Sequence, residues 1–114
     1  MKRLLMVGND KLDIDLFKTW TFPENMKNYV VSEREVQIRY EDEIVKIEAV
    51  NNIVNEYDED ERSKIPYENP KILMFSFSDK EIAMKILGDE RLPIGLFIDD
   101  FKHIRSIEEF RATL

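Results

Sequence analysis

"EVQIRYEDEIVKIEA", residues 35–49, carries apolar side chains at alternating positions on either side of Glu41 and Asp42. If Glu41 and Asp42 form a two-residue turn, Tyr40 faces Glu43, Ile38 faces Val45 and Val36 faces Ile47. The apolar side chains then share one face in register, the signature of an antiparallel hairpin with one buried side. Glu-Asp is a poorer turn pair than Asn-Gly, which leaves a longer loop open as the alternative.

Downstream, "KILMFSF" (71–77) is an apolar run that predicts a strand buried on both faces. Ser78 with Glu81 has the spacing of a capping box, and the following helix buries Ile82, Ala83, Ile86 and Leu87 before Gly88 ends it. "IGLFI" (94–98) predicts another strand after Pro93. Ser106 with Glu109 repeats the capping spacing and opens a final helix that packs Ile107, Phe110 and Leu114. Between them, "DDFKHI" is either a tight turn with a short returning strand or a crossover loop.

Upstream, Arg3–Asn9 is a short apolar run closed by Gly-Asn-Asp and predicts a buried strand. From Lys11 to Phe22, Leu12, Ile14, Leu16, Phe17 and Trp20 are loosely helical until Pro23 and Asn25 break the pattern, giving a short helix or packed loop. After the hairpin, Val50, Ile53, Val54 and Tyr57 recur at i, i+3, i+4 and i+7, an amphipathic helical stripe. That helix runs into "EYDEDE" (56–61), acids that at a helix C-terminus oppose the macrodipole. Ser63–Pro70 reads as a connector.

The expected order is strand, short helix, hairpin, helix, strand, helix, strand, helix. The last four elements form a β-α-β-α unit in which strands 71–77 and 94–98 lie parallel. With the hairpin this predicts an α/β or α+β domain spanning 1–114: a mixed sheet of about four to five strands with helices packed on it.

At 114 residues, with 43% hydrophobic and 36% charged residues, the composition is that of one globular domain. The absence of cysteine removes disulfides, thiolate nucleophiles and Cys-ligated zinc. "MKRLLMVGND" has too few apolar residues before Gly8 for a signal-peptide core or a membrane span, so a cytoplasmic location and no membrane contact are expected.

The formal charge of −7 is unevenly spread: residues 41–70 carry ten acidic and three basic side chains, whereas the flanking thirds are nearly balanced. A field of that sign repels phosphate backbones, so nucleic acid is not expected as a partner. It attracts and steers a basic protein. The plain alternative is a charge that only keeps a small protein soluble.

Three expected strands end in polar pairs: Asn9 and Asp10, Ser78 and Asp79, Asp99 and Asp100. If those strands were parallel neighbours, the carboxylates would converge at one edge, where Mg²⁺ binds in open sheets. His103 would be the one imidazole available as a general base. The plain reading is that small polar residues terminate strands and start helices. The adjacent aspartates do not match the Asp-x-Asp of haloacid-dehalogenase phosphohydrolases, and the hairpin interrupts the alternation of a receiver domain. No glycine-rich phosphate loop is present, since Gly8 stands alone in "VGND". Phe17, Trp20 and Phe22 are an aromatic group that either caps the core or forms a binding surface.

"NPKILMFSFSDKEIAMKIL" (69–87) followed by "GLFIDDFKHIRSIEEF" (95–110) resembles a layout of small acidic bacterial immunity proteins, which neutralise toxins. The resemblance implies a cytoplasmic inhibitor that offers carboxylates to the basic cleft of a toxin, and it transfers no individual residue. The expected protein-binding residues follow from charge distribution: Glu56, Tyr57, Asp58, Glu59, Asp60 and Glu61, with Glu41, Asp42 and Glu43 at the hairpin tip beside Tyr40. No catalytic residue, metal or cofactor is assigned. The competing class is a small enzyme or metal-dependent ligand binder using Asp10, Asp79, Asp99, Asp100 and His103. A third reading is a homodimer whose sheet edges pair.

Overall fold

The computed structural model describes residues 1–22 and 25–113. Pro23 and Leu114, invoked above as a helix breaker and a packing residue, lie outside them. The hairpin forms as its pattern requires. Strands β3 (Glu35–Tyr40) and β4 (Glu43–Ala49) pair Val36 with Ile47, Ile38 with Val45 and Tyr40 with Glu43. Glu41 takes φ +53 while Asp42 does not enter the positive region, the φ signs of a type II′ turn. A left-handed conformation costs a residue with a Cβ about 1–2 kcal/mol. Glu41→Gly is therefore expected to raise stability by up to about 1 kcal/mol, part of the relief being lost to the entropy of the unfolded glycine. A higher urea midpoint at unchanged slope checks it.

The hairpin is joined by β1 (Lys2–Gly8), β2 (Met26–Ser32), β5 (Lys71–Phe77), β6 (Phe97–Asp99) and β7 (Ile104–Ser106). Together they form one seven-stranded sheet in the order β2-β3-β4-β5-β1-β6-β7. The sheet is larger than the expected four to five strands, and every neighbouring pair is antiparallel, so it is not mixed. β5 and β6 do run in the same direction, but β1 lies between them and is antiparallel to both. The apolar N-terminal run takes the central slot that a continuous β-α-β unit would have closed. "DDFKHI" resolves as a tight turn leading into the short returning strand β7.

Helices α1 (Asp15–Lys18), α3 (Lys80–Leu87) and α4 (Ile107–Ala112) cover one face. There Leu4, Met6, Val36, Ile38, Ile47, Phe75 and Ile98 meet Phe17, Ile82, Ile86, Leu87 and Phe110. α3 begins one residue later than its capping pattern suggests. Asp79, not Ser78, accepts the amides of Glu81 (2.8 Å) and Ile82 (3.3 Å), and the Ser78 hydroxyl donates to Glu43 (2.6 Å). Ser106 caps α4 as expected, accepting the Glu109 amide at 3.1 Å. Of the loosely helical stretch 11–22, only α1 is regular. Phe17 and Trp20 nevertheless serve the core, with ring centroids 4.8 Å apart.

The opposite face is covered over β5, β1, β6 and the start of β7, by the chain running from Val50 to Tyr67. The expected helix through 50–57 is a single 3-10 turn, Ile53–Glu56, and a separate short helix α2 occupies Glu59–Ser63. The reason is local. Asp58 accepts the Glu61 amide (2.7 Å) while Glu61 accepts the Asp58 amide (3.1 Å), a complete capping box that restarts the helix at Glu59. The acids therefore stand at a helix N-terminus, where they complement the macrodipole instead of opposing it.

Candidate functional site

The segment after β4 crosses the sheet because its apolar side chains have somewhere to go. Ile53, Val54, Tyr57, Ile65 and Tyr67 pack on Leu5, Val7, Ile72, Met74, Phe97 and Ile104. Two polar contacts pin it. The Tyr57 hydroxyl donates to Asp99 Oδ2 at 2.8 Å, across 42 positions of sequence, and the Tyr67 hydroxyl donates to the Gly95 carbonyl at 2.5 Å. Arg62 closes the far end on the carbonyls of Tyr67 (2.8 Å) and Glu68 (2.6 Å).

Between this strap and the turn after β6 lies a cavity of about 200 Å³. Leu5, Met74 and Ile53 give it an apolar floor; Glu56, Tyr57, Glu61 and Asp99 line its walls; Phe101, 59% exposed, stands at the rim. A depression of about 290 Å³ at the other end of the sheet is lined by Asp13, Asn51, Asn52 and Lys71 among others, and carries one carboxylate. The carboxylates concentrate in the smaller cavity.

Asp99 is only 5% exposed. Its Oδ1 accepts the Phe101 amide (2.8 Å), which holds Phe101 at φ +70, and its Oδ2 takes the Tyr57 proton. Burial, then the hydrogen bond and negative charge of Asp99, push the Tyr57 phenol well above its ordinary range. Tyr57 is therefore a neutral donor here and no base. Asp99 is the wet end of β6 turned inward: an acceptor that clamps the strap to the sheet.

The expected edge constellation does not assemble. β1 runs opposite to β5 and β6, so Asn9 and the exposed Asp10 lie at the far edge from Asp79, Asp99 and Asp100. Asp79 is a helix cap. Asp100 Oδ1 accepts the amides of Lys102 (3.0 Å) and His103 (2.7 Å) and its Oδ2 lies 3.5 Å from Arg105. Burial raises the Asp100 pKa, but the two amides and the charges of Arg105 and His103 together outweigh it and hold it below the usual carboxylate range. His103 is exposed, with Nδ1 3.3 Å from Arg105. Among the described residues no three His, Asp or Glu side chains are close enough to hold a metal ion.

The nine residues expected to bind a protein divide into two places. Glu41 and Asp42 are exposed at the hairpin tip, and Glu43 is partly buried on Ser78. Tyr40 lies under the Lys85 ammonium, 5.7 Å from its ring centre. The others stand on the strap. Tyr57 and Glu61 line the cavity with Glu56; Asp58 is committed to the capping box; Glu59 and Asp60 face solvent, Asp60 3.7 Å from Lys64. No hydrogen bond or ion pair among the described residues joins the two groups.

Comparison with protein-family models, curated proteins and solved structures finds no match. The site must be read from its own chemistry. Sequence reasoning missed Leu5, Met74 and Phe101, and placed Asp99 with the wrong neighbours. Floor residues such as Leu5 and Met74 are indistinguishable from core in a sequence. Among the described residues no helix is long and apolar enough to cross a membrane.

Proposed function

We propose that this chain is a non-enzymatic protein-binding module that receives a basic segment of a partner in the acidic cavity beside the strap. A cytoplasmic inhibitor of a basic protein, of the toxin-neutralising kind, is the concrete version of this reading. The observation that carries it is the cavity itself: carboxylates of Glu56, Glu61 and Asp99 above an apolar floor, with no Lys or Arg among its lining residues. That combination suits a long cationic side chain, whose methylene stem lies along Leu5 and Met74 while its charged head reaches the carboxylates. Phe101 at the rim adds an aromatic face for a guanidinium.

The test is titration with a short arginine-containing peptide, followed by backbone amide shifts, at low and physiological salt. Shifts are expected at Ile53–Glu61 and Asp99–Phe101. Glu56→Gln with Glu61→Gln is expected to weaken binding roughly tenfold, since each exposed ion pair contributes up to about 1 kcal/mol. Glu41→Gln with Asp42→Asn should change it little. Equal weakening by both pairs would reduce the interaction to net charge, and shifts confined to the hairpin tip would move the site there.

A further inference from the structure

We infer that β2 is an assembly edge, along which a second copy of this chain adds its own β2 in antiparallel register to make one continuous sheet. The tight turn fixes which backbone groups of β3 face which neighbour. A two-residue connection makes Tyr40 and Glu43 a hydrogen-bonded pair, so even-numbered residues of β3 direct their amides and carbonyls toward β4. The bond from the Ala49 amide to the Arg34 carbonyl (2.8 Å) has the same parity. Odd-numbered residues of β3 therefore bond to β2, through Gln37 opposite Tyr29 and Arg39 opposite Lys27. It follows that Met26, Asn28 and Val30 turn their backbone donors and acceptors away from the sheet.

Beyond Asn28, whose side-chain amide donates to the Phe17 and Lys18 carbonyls (3.0 Å each), the apolar side chains of this edge are also uncovered. Tyr29, Val30 and Val31 are 44%, 54% and 53% exposed, a consecutive run that makes half of the exposed large hydrophobics among the described residues. Native edges are normally blunted by charge, proline or brevity. The opposite edge, β7, is blunted: it has three residues and passes directly into α4. β2 has seven residues, and its irregularity between Val30 and Ser32 ends the straight edge only after Val30.

That irregularity selects the register. Pairing Asn28 with the copy's Val30, about a two-fold axis at Tyr29, uses only the outward-turned groups of the regular stretch. The two Tyr29 side chains then meet at a non-hydrogen-bonded position, where cross-strand side chains come closest and aromatic pairs gain most. Arg39, 4.6 Å above the Tyr29 ring, continues the stack on each side. Charge complementarity names the occupant as a second copy. Lys27 at one end of the strand and Glu33 just beyond the other are both exposed, and neither forms an ion pair among the described residues. Antiparallel self-pairing brings the lysine end of each strand to the glutamate end of the other, twice by symmetry.

Sedimentation equilibrium from low to high micromolar concentration tests this. The full chain is expected to move from monomer to dimer mass. Val30→Pro should hold it monomeric without loss of fold, because the ladder parity turns that amide away from β3 and proline is tolerated at such edge positions. Lys27→Glu should weaken the dimer at least several-fold, and adding Glu33→Lys should restore it, a rescue that keeps the test decisive if the proline variant fails to fold. A monomer at every concentration overturns the proposal. So does a dimer indifferent to Val30→Pro and to the charge reversal, or an edge that binds a foreign extended peptide while the chain alone stays monomeric.

Discussion

Phe75→Ala is expected to destabilise the protein by about 4 kcal/mol, near the middle of the range for deleting a buried aromatic ring. Phe75 is fully buried on β5, the strand that joins the β2-β3-β4 meander to the β1-β6-β7 half. Its cross-strand partners are Leu4 on one side and Ile47 on the other, and its ring centroid is 5.8 Å from that of Phe77. With β5 held by a full ladder on each side, the backbone has little freedom to close the void. The loss amounts to a large share of the roughly 5–15 kcal/mol that stabilises a domain of this kind. Urea unfolding measures it, with Ile94→Ala, at a side chain 87% exposed, as a control expected to stay within about 0.5 kcal/mol. A loss at Phe75 below about 1.5 kcal/mol would mean that the two halves repack independently and that the sheet is not held by one continuous core.

What the sequence made legible was whatever local pattern and tertiary context both demanded. In 35–49 the alternation and the turn length agree, so the pairing could be read residue by residue. Helix α3 carries its apolar stripe and ends before Gly88 for the same reason, although its cap moved to Asp79 because Glu43 claims the Ser78 hydroxyl. β2 escaped notice because only Met26 in it is buried; an exposed edge strand has no periodicity to announce it. The direction of β1 is a topological choice made by the whole sheet, and no local signal in "RLLMVGN" encodes it. Around 50–63 the helical stripe was real, since Val50, Ile53, Val54 and Tyr57 do pack together on one side, but the Asp58–Glu61 box won the backbone. That box was written in the sequence at the usual spacing, hidden inside a run of acids that invited a reading by charge alone.

The acidic cavity was legible in the sign of its charge and not in its shape. Charge counting found Glu56, Tyr57 and Glu61, which do line the cavity, and could not separate them from Glu59 and Asp60, which face outward on the same strap. Asp99 shows the limit most clearly. Read as one of a pair with Asp100, it invited comparison with catalytic carboxylates. In the fold the two neighbours part: Asp99 turns inward to Tyr57 and Asp100 closes the following turn. Contacts spanning 42 positions leave no trace in spacing, so a buried partner for a strand-end aspartate had to await the strap's placement.

That contact sets the second large effect. Tyr57→Phe removes the donor to Asp99 Oδ2 and leaves a buried carboxylate oxygen short of a partner, a loss of about 1–3 kcal/mol. The pH dependence distinguishes this from lost packing. The folded protein holds the Tyr57 proton more tightly than the unfolded chain, because burial and the adjacent Asp99 disfavour the phenolate. A raised folded pKa stabilises fully below the unfolded value, about 10 for tyrosine, and the contribution drains away as pH climbs past it and the unfolded chain ionises first. Wild-type stability is therefore expected to fall more steeply above pH about 10 than that of Tyr57→Phe, so that the two curves converge. Parallel curves would show that the hydroxyl is not held by Asp99 in solution. The basic-peptide titration gains its meaning from the same contact: with the latch broken by Tyr57→Phe, the strap carrying Glu56 and Glu61 loses its tie to β6. Peptide binding should then weaken even though no cavity carboxylate has been removed, an outcome that net charge alone does not produce.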